Sequence, residues 1–300
     1  MPHETPPTLD PTAASRWERA APARSPWLHD EVARRMAQRL EWIRLAPQAW
    51  AHWWPLRGGM AAQEVLEQRY PQARCLLVEP SWRAQEARRV FARPWWQRWS
   101  GPRREVVDSV PAGAVQMLWA NMALHFSARP QELLAHWHAA LATDGFLMFS
   151  CFGPDTLREL RALYAAIGWP PPGPQFTDMH DWGDMLVAGG FAEPVMDMER
   201  ITLTWEMPAR LLEELRELGA NLHPGRFPAL RGRTWRKLLE SELARALRGP
   251  DGRLRLTFEV VYGHAIRPAP RIRVREESAF SVEDMRSVLR GNRGGQGAPP

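Results

Sequence analysis

The sequence has few cysteines and no long apolar run. Its 300 residues include only Cys75 and Cys151, and both lie inside apolar stretches (CLLV and FLMFSCF). This setting predicts small core residues in a reducing compartment, and it excludes a disulfide framework, zinc fingers and iron–sulfur clusters. No stretch reaches the roughly 18 apolar residues that a transmembrane helix needs. The N-terminal residues carry prolines and charges where a signal peptide has an apolar core, so we expect a cytoplasmic protein without a metal site.

Lysine is almost absent as well. Lys237 is the only lysine, and the formal net charge of +5 comes from arginine. Many arginines stand beside glutamates, as in LRELRALY and LLEELRELG, which is typical of ion pairs on solvated helix faces. The charge therefore gives only a weak preference for an acidic partner. The chain has no pattern of a known nucleic-acid-binding module, and we expect neither nucleic acid nor a membrane as a partner.

Composition divides the chain into three parts. Residues 1–24 are rich in proline, alanine and threonine without periodicity, which predicts a disordered arm. Residues 25–267 contain the periodic segments and form the predicted folded domain, which begins with an amphipathic helix at 25–45. Residues 268–300 lose this periodicity and are predicted to be a flexible tail.

The middle of the chain alternates short apolar runs with helical segments. The runs CLLVEP, VQMLWAN and FLMFSCFG predict buried strands, and helical patterns stand between them. This order is typical of parallel strands joined by right-handed crossovers. Helical segments at 206–250 precede a last strand, RLRLTFEVVYGHAIRP, which we expect to be antiparallel. We therefore predict an α/β fold, a doubly wound, mostly parallel sheet with a helical N-terminal arm and a helical insertion before the last strand.

Polar residues follow two of the predicted strands. Ligands of doubly wound sheets bind at the carboxyl ends of the strands. Glu79 ends CLLVEP, where an acid can accept hydrogen bonds from both ribose hydroxyls of an adenosine-containing ligand. The alternative is an acid exposed in a loop. Asn121 ends VQMLWAN, where it either faces a ligand or accommodates the bend between strand and helix.

Two glycines and two arginines are further candidates. Gly58 and Gly59 precede a predicted helix and can expose backbone N–H groups to a ligand, although bulky residues (WWPLR) stand before them. Arg158 and Arg161 follow the strand FLMFSCFG. Their guanidinium groups either bind a carboxylate in a bidentate manner or belong to a solvated helix face.

Four stretches carry a family resemblance: VQMLWANMALHFSARPQELLAHWHAALATDGFLMFSCFGPDTLREL, FTDMHDWGDMLVAGGFAEPVMDMERITLTW, LGANLHPGRFPALRGRTW and LTFEVVYGHAIRP. They resemble class I S-adenosylmethionine-dependent methyltransferases, and most of all the malonyl-acyl-carrier-protein O-methyltransferases of biotin synthesis. The blocks FGPDTLREL and FTDMHDWGDML are much more specific than a generic methyltransferase pattern. Together the four stretches cover well over half the chain.

The resemblance implies a cofactor, an acceptor and a set of site residues. The implied cofactor is S-adenosylmethionine, and the implied acceptor is the free carboxylate of malonyl-acyl carrier protein, with the carrier protein as partner. The resemblance places Gly58 and Gly59 at the end of the cofactor's glycine loop, Glu79 at the ribose, Glu105 or Asp108 near the adenine, and Asn121 at the end of the strand that usually closes in Ser-Asn.

The implied reaction is displacement at the sulfonium methyl by the acceptor carboxylate. A carboxylate is already an anion at neutral pH and needs no general base, so catalysis consists of alignment and exclusion of water. No catalytic residue is therefore predicted. The candidates for holding the acceptor are Arg158, Arg161, Arg226 and Arg231.

The start of the resembling fold leaves two functional hypotheses open. In the family the first strand normally ends in an acid followed by GxGxG, and here His52, Trp54 and Leu56 stand at or near those places. The chain is either a methyltransferase or a catalytically degenerate member that acts as a partner or regulatory subunit. An accessible cavity above Gly58 and Glu79 favours the enzyme, whereas Trp53 or Trp54 packed into that space favours the degenerate protein.

Overall fold

Seven strands form one sheet in a computed structural model that describes residues 9–92 and 103–270. The strands are β1 (Ala49–Trp53), β2 (Arg74–Val78), β3 (Arg104–Val107), β4 (Val115–Ala120), β5 (Leu141–Phe152), β6 (Ala192–Trp205) and β7 (Leu254–Ile266). Their order is β3-β2-β1-β4-β5-β7-β6. Only β7 runs against its neighbours β5 and β6. The predicted α/β fold with a doubly wound, mostly parallel sheet and an antiparallel last strand is confirmed.

Helices cover both faces of this sheet. They are α1 (Pro11–Ala20), α2 (Trp27–Arg39), α3 (Pro55–Gly58), α4 (Ala61–Arg69), α5 (Ala84–Val90), α6 (Pro130–Ala140), α7 (Arg158–Ala166), α8 (Met179–Ala188), α9 (Pro208–Leu218) and α10 (Arg233–Ala246). On one face α2, α4, α7 and α10 pack their apolar sides into the larger core cluster. On the other face α6 and α8 contribute Trp137 and Trp182 to a second cluster. Both faces of the central strands are therefore buried, as their continuous apolar runs require.

The N-terminal arm is the main correction to the predicted organisation. Disorder was expected over 1–24, but residues Pro11–Ala20 form α1. Asp10 caps this helix, since its carboxylate accepts hydrogen bonds from the backbone N–H groups of Thr12 (2.8 Å) and Ala13 (3.0 Å). Pro11 suits the first turn, where no backbone N–H is needed. Residues 1–8 lie outside the described part of the chain.

The structure also has helices in the two other segments where helices were predicted. The helix expected at 25–45 is α2 followed by a single 3₁₀ turn, Leu40–Trp42. The insertion expected at 206–250 contains α9 and α10. The described residues up to Pro268 belong to one compact unit, and most of the predicted tail, 271–300, lies outside the described residues. Among the described residues, no helix is both long enough and apolar enough to cross a membrane.

Candidate functional site

The carboxyl ends of β2, β1 and β4 lie side by side in the middle of the sheet. Trp53, the last residue of β1, is paired with Val78, the last residue of β2. The strand order reverses between β1 and β4, because the chain winds out to β3 on one side and to β5 on the other. Such a switch point opens the crevice in which doubly wound folds bind their ligands. The candidate site is this crevice, which Glu79 borders after β2 and Asn121 borders after β4.

Glu79 is buried at the bottom of the crevice, with 1% of its surface exposed. Its carboxylate accepts a hydrogen bond from the backbone N–H of Leu56 at 2.9 Å. Burial raises the pKa of Glu79 to about 7, while the Leu56 N–H and the charges of Arg83 and Arg57 act in the opposite direction. The alternative of an acid exposed in a loop is therefore wrong. Glu79 lies where a ribose-binding acid is expected, but its carboxylate accepts a hydrogen bond from the protein's own backbone.

The segment between β1 and α4 turns into the crevice. Trp54 has left-handed backbone angles (φ 51°, ψ 54°), and its N–H donates to the carbonyl of Val78 at 2.9 Å. The chain then forms the single turn of α3, whose Leu56 and Arg57 are buried. A cofactor loop of this fold presents bare glycine backbone at that place so that the ligand can approach. This chain presents two buried side chains instead.

Gly58 and Gly59 border the crevice, and their lack of a side chain serves packing within the protein. A Cβ atom on Gly58 would lie 2.6 Å from the carbonyl oxygen of Asn121. Gly59 has φ +113°, and a Cβ there would lie 2.8 Å from the Cβ of Ala33 in α2. Both distances are shorter than a Cβ atom tolerates. Only glycine at these two positions therefore lets this segment approach Asn121 and α2 so closely.

Asn121 closes a buried hydrogen-bond network in the same place. Its side-chain amide donates to the carbonyl oxygens of His29, at 2.9 Å, and of Gly58. Its side-chain oxygen accepts from the Ser150 hydroxyl at 2.6 Å. The Nδ1 atom of His29 in turn lies 2.8 Å from the carbonyl oxygen of Arg57. Asn121 therefore joins β4, β5, α2 and α3, and its polar atoms bind the protein.

The Arg57 side chain fills the space above Glu79. Its guanidinium carbon lies 4.8 Å from the ring centroids of both Trp17 and Phe126. Arg57 is 6% exposed, and its Nη2 atom has no hydrogen-bond partner within the described residues. Burial lowers the pKa of Arg57 to about 10. The two ring centroids are 6.3 Å apart, so the guanidinium lies against a pair of adjacent rings and not between them.

Helix α1 lies over this arginine and is fastened at both of its ends. At its C-terminal end, Arg83 donates hydrogen bonds to the carbonyl oxygens of Glu18 (2.8 Å) and Ala21 (2.7 Å). At its N-terminal end, the carboxylate of Asp10 pairs with Arg226 at 2.6 Å. Together these contacts make α1 a cover for the crevice.

The described residues leave little free space beside Glu79. The side chains of Glu18, Trp54, Arg57, Glu79 and Arg83, with Pro80, line a cavity of about 10 Å³. This volume holds at most a single water molecule, whereas pockets for small molecules measure roughly 300–1,000 Å³. The side chain that fills the space is Arg57, with Trp54 beside it, whereas Trp53 packs on Trp137 with ring centroids 5.8 Å apart.

Glu105 lies in the body of β3, where it lines a cavity of about 500 Å³ together with Asp108, and its role at the adenine stays a prediction. It is paired with Leu76 in the body of β3, two residues before the strand ends. Its side chain is about half exposed and forms an ion pair with Arg74 at 2.5 Å. Asp108, the alternative, directly follows the end of β3.

Arg158 and Arg161 follow β5, at the neighbouring strand end. Arg158 is half exposed and pairs with Asp155 at 3.4 Å and with Glu159 at 3.3 Å. Arg161 is partly buried and donates hydrogen bonds to two backbone carbonyls in the loop before α7. The structure thus gives Arg161 a structural role in this loop instead of a free guanidinium, while Arg158 stays a prediction as an acceptor-binding residue.

Arg226 and Arg231 lie in the connection between α9 and α10. The guanidinium of Arg226 forms an ion pair with the carboxylate of Asp10. The guanidinium carbon of Arg231 lies 4.3 Å from the ring centroid of Trp235 and 4.2 Å from that of Phe227. Arg231 remains a prediction as an acceptor-binding residue.

Sequence reasoning missed Trp17, Arg57 and Arg83 as residues of the site. Arg57 stands directly before the glycine pair, and Arg83 follows Glu79 by four residues. A cation beside an expected cofactor loop was a usable signal for Arg57. No local signal could have found Trp17, because its place over Arg57 depends on tertiary packing of the arm.

Comparison with known proteins agrees with this architecture. No protein-family model matches the chain. Two solved structures share its fold: the YcgJ protein of Bacillus subtilis (TM-score 0.53, 11% identity, 80% of this chain and 99% of that chain), and a candidate methyltransferase of Bacillus halodurans (TM-score 0.52, 11% identity, 80% of this chain and 100% of that chain). At this identity the likeness speaks for the fold alone.

Curated relatives are much more similar in sequence. The chain is 40% identical over 278 residues to the malonyl-[acyl-carrier protein] O-methyltransferase of Laribacter hongkongensis, a match that spans 87% of this chain and 88% of that protein. It is 39% identical over 256 residues to the protein of the same name from Gallionella capsiferriformans, over 82% of this chain and 86% of that protein. The chain belongs to the malonyl-[acyl-carrier protein] O-methyltransferase family.

Proposed function

We propose that this chain uses S-adenosylmethionine to methylate the free carboxylate of malonyl-acyl carrier protein, a step of biotin synthesis. The observation that carries the proposal is the 40% identity to a protein of that name over 278 residues. The geometry adds support, because Gly58–Gly59, Glu79 and Asn121 meet at the switch point where this fold binds ligands.

The same geometry sets a condition on the proposal. The crevice is filled by Arg57 and covered by α1 in the described arrangement. Cofactor binding therefore requires a second arrangement in which this space is free. The acceptor carboxylate is charged at neutral pH, so the chain need only bind and align it.

The partner follows from the same proposal. An acyl carrier protein is acidic, and the formal net charge of +5 on this chain favours their encounter. A reducing, cytoplasmic setting also belongs to the proposal. It is supported by Cys75 and Cys151, which are both buried in the core and form no disulfide within the described residues.

One observation favours a second function. A cavity of about 10 Å³ beside Glu79 is what a degenerate member is expected to have. Such a protein keeps the family fold and acts as a partner or regulatory subunit without binding the cofactor.

Methyl-ester formation on malonyl-acyl carrier protein, followed by mass spectrometry, separates the two functions. We expect the full chain to form the ester and Glu79→Ala to lose most of that activity. Glu41→Gln, a change of an exposed glutamate in the turn after α2, should keep it. If neither the wild-type chain nor Arg57→Ser forms ester while both remain folded, the second function replaces the first.

A further inference from the structure

The contents of the crevice have the form of a plug and a lid. The plug is the Arg57 side chain, and the lid is α1. The plug lies beside residues that follow two of the strands bordering the crevice. Glu79 follows β2, and Phe126 lies in the turn after β4. The lid supplies the other aromatic wall, Trp17, and its Glu18 lines the same small cavity.

The lid depends on a few side chains. Arg83 binds two carbonyl oxygens at its C-terminal end. An exposed ion pair joins Arg24, just beyond the helix, to Glu217 at 2.8 Å, and a second pair joins Asp10 to Arg226. The helix itself has no fully buried residue. A short helix without a fully buried residue, held by polar contacts and by the packing of Trp17 against Phe126 and Arg57, opens at a lower free energy than the core does.

The closed crevice also contains unfavourable features. Arg57 and Glu79 are both largely buried, and the Nη2 atom of Arg57 is without a hydrogen-bond partner within the described residues. Trp54, after β1, and Met122, after β4, have left-handed backbone angles (φ 51° and 52°) although neither is glycine. Buried charge and backbone strain concentrated at a ligand edge are characteristic of elements that switch between two arrangements.

We propose that Arg57 and α1 form a built-in gate, so that the closed crevice is a self-inhibited state and S-adenosylmethionine binds only after the plug and the lid have left it. This inference rests on the proposed function, because it assigns regulation to that same site. The guanidinium of Arg57 lies against two adjacent aromatic rings, beside a small cavity that the carboxylates of Glu18 and Glu79 and the guanidinium of Arg83 line. A sulfonium ligand would offer the same charge to the same rings and carboxylates. Ligand and plug therefore compete for one space.

Competition of this kind weakens binding by a defined factor. A ligand that binds only the open state has an apparent Kd equal to its intrinsic Kd divided by the open fraction. Any substitution that raises the open fraction must then tighten binding, although it removes protein contacts. An ordinary structural role for Arg57 predicts the opposite or no effect.

Calorimetric titration with S-adenosylhomocysteine tests the gate. Arg57→Ser removes the plug, and Arg83→Gln releases the lid, so that the second variant still serves if the first fails to fold. The matched control is Arg104→Gln, because Arg104 is also largely buried and pairs with Glu67 at 2.5 Å. It is the first residue of β3 and therefore lies at the amino ends of the strands, away from the crevice at their carboxyl ends. We expect both gate variants to bind at least tenfold more tightly than the wild-type chain, and Arg104→Gln to bind like the wild-type chain.

The outcomes separate the gate from the function. If the wild-type chain and both gate variants bind within about threefold of one another, the gate is refuted and the proposed function stands. If folded wild-type and variant proteins all fail to bind at millimolar ligand, the proposed function fails and the gate fails with it. Tighter binding by Arg104→Gln as well would show that general loosening, and not the gate, controls the crevice.

Discussion

The buried carboxyl group of Glu79 gives the chain a stability that depends on pH. Its pKa is raised from 4.5 to about 7 by burial, so between these values the folded chain holds a proton that the unfolded chain releases. The corresponding stabilisation is present below about pH 4.5 and is lost as the pH rises through about 7. A shift of this size is equivalent to about 3 kcal/mol. Glu79→Gln is neutral at every pH and keeps an oxygen for the Leu56 N–H.

Urea unfolding of both proteins across this pH range measures the effect. The free energy of unfolding of the wild-type chain, relative to Glu79→Gln, is expected to fall by up to about 3 kcal/mol between pH 4.5 and pH 7 and to change little above it. Glu105→Gln is the control, because this surface carboxylate, in an exposed ion pair with Arg74, contributes at most about 1 kcal/mol. If the difference in free energy of unfolding between the two proteins is constant or rises with pH, the burial of the Glu79 carboxyl group is refuted.

Three further substitutions test separate contacts of the site. Gly58→Ala places a Cβ 2.6 Å from the Asn121 carbonyl oxygen. It should destabilise the chain by about 2 kcal/mol or more in thermal unfolding. The control is Gly183→Ala in α8, where the nearest contact of the new Cβ is at 3.8 Å, and it should be neutral or stabilising by up to about 1 kcal/mol. Asn121→Ala leaves the His29 and Gly58 carbonyls without their donor and should cost about 3 kcal/mol in urea unfolding, and a cost below about 1 kcal/mol would contradict the network. Asp10→Ala removes the cap of α1 and should speed hydrogen exchange of its backbone amides, with a loss of about 1 kcal/mol in helix stability, and unchanged exchange would contradict the capping role.

The sequence predicts the sheet well wherever strands are buried on both faces. The continuous apolar runs of β2, β4 and β5 have no alternative to burial between helices, so the pattern is sufficient. The strand β3 was not predicted, because its four residues REVV are at most partly buried and lie at the edge of the sheet. A short edge strand is defined by its neighbour β2, and a local pattern does not contain that information.

The arm and the crevice show why the site could be predicted only in part. Glycine, acid and asparagine after successive strands placed Gly58, Glu79 and Asn121 in one crevice, and the structure brings them together. That these groups bind one another, and that Arg57 fills the space, depends on the direction taken by Trp54 and on the packing of α1. Both depend on tertiary packing, and in the arm this packing overrides a composition rich in proline and alanine.

The most direct test of the account is the dependence of ligand binding on Glu79 once the plug is removed. S-adenosylhomocysteine is titrated into Arg57→Ser and into the double variant Arg57→Ser, Glu79→Ala. The account predicts micromolar binding by the first protein and at least tenfold weaker binding by the second, a difference of about 1.4 kcal/mol. No binding by folded Arg57→Ser at millimolar ligand, or equal binding by both proteins, would contradict the claim that this crevice is the cofactor site.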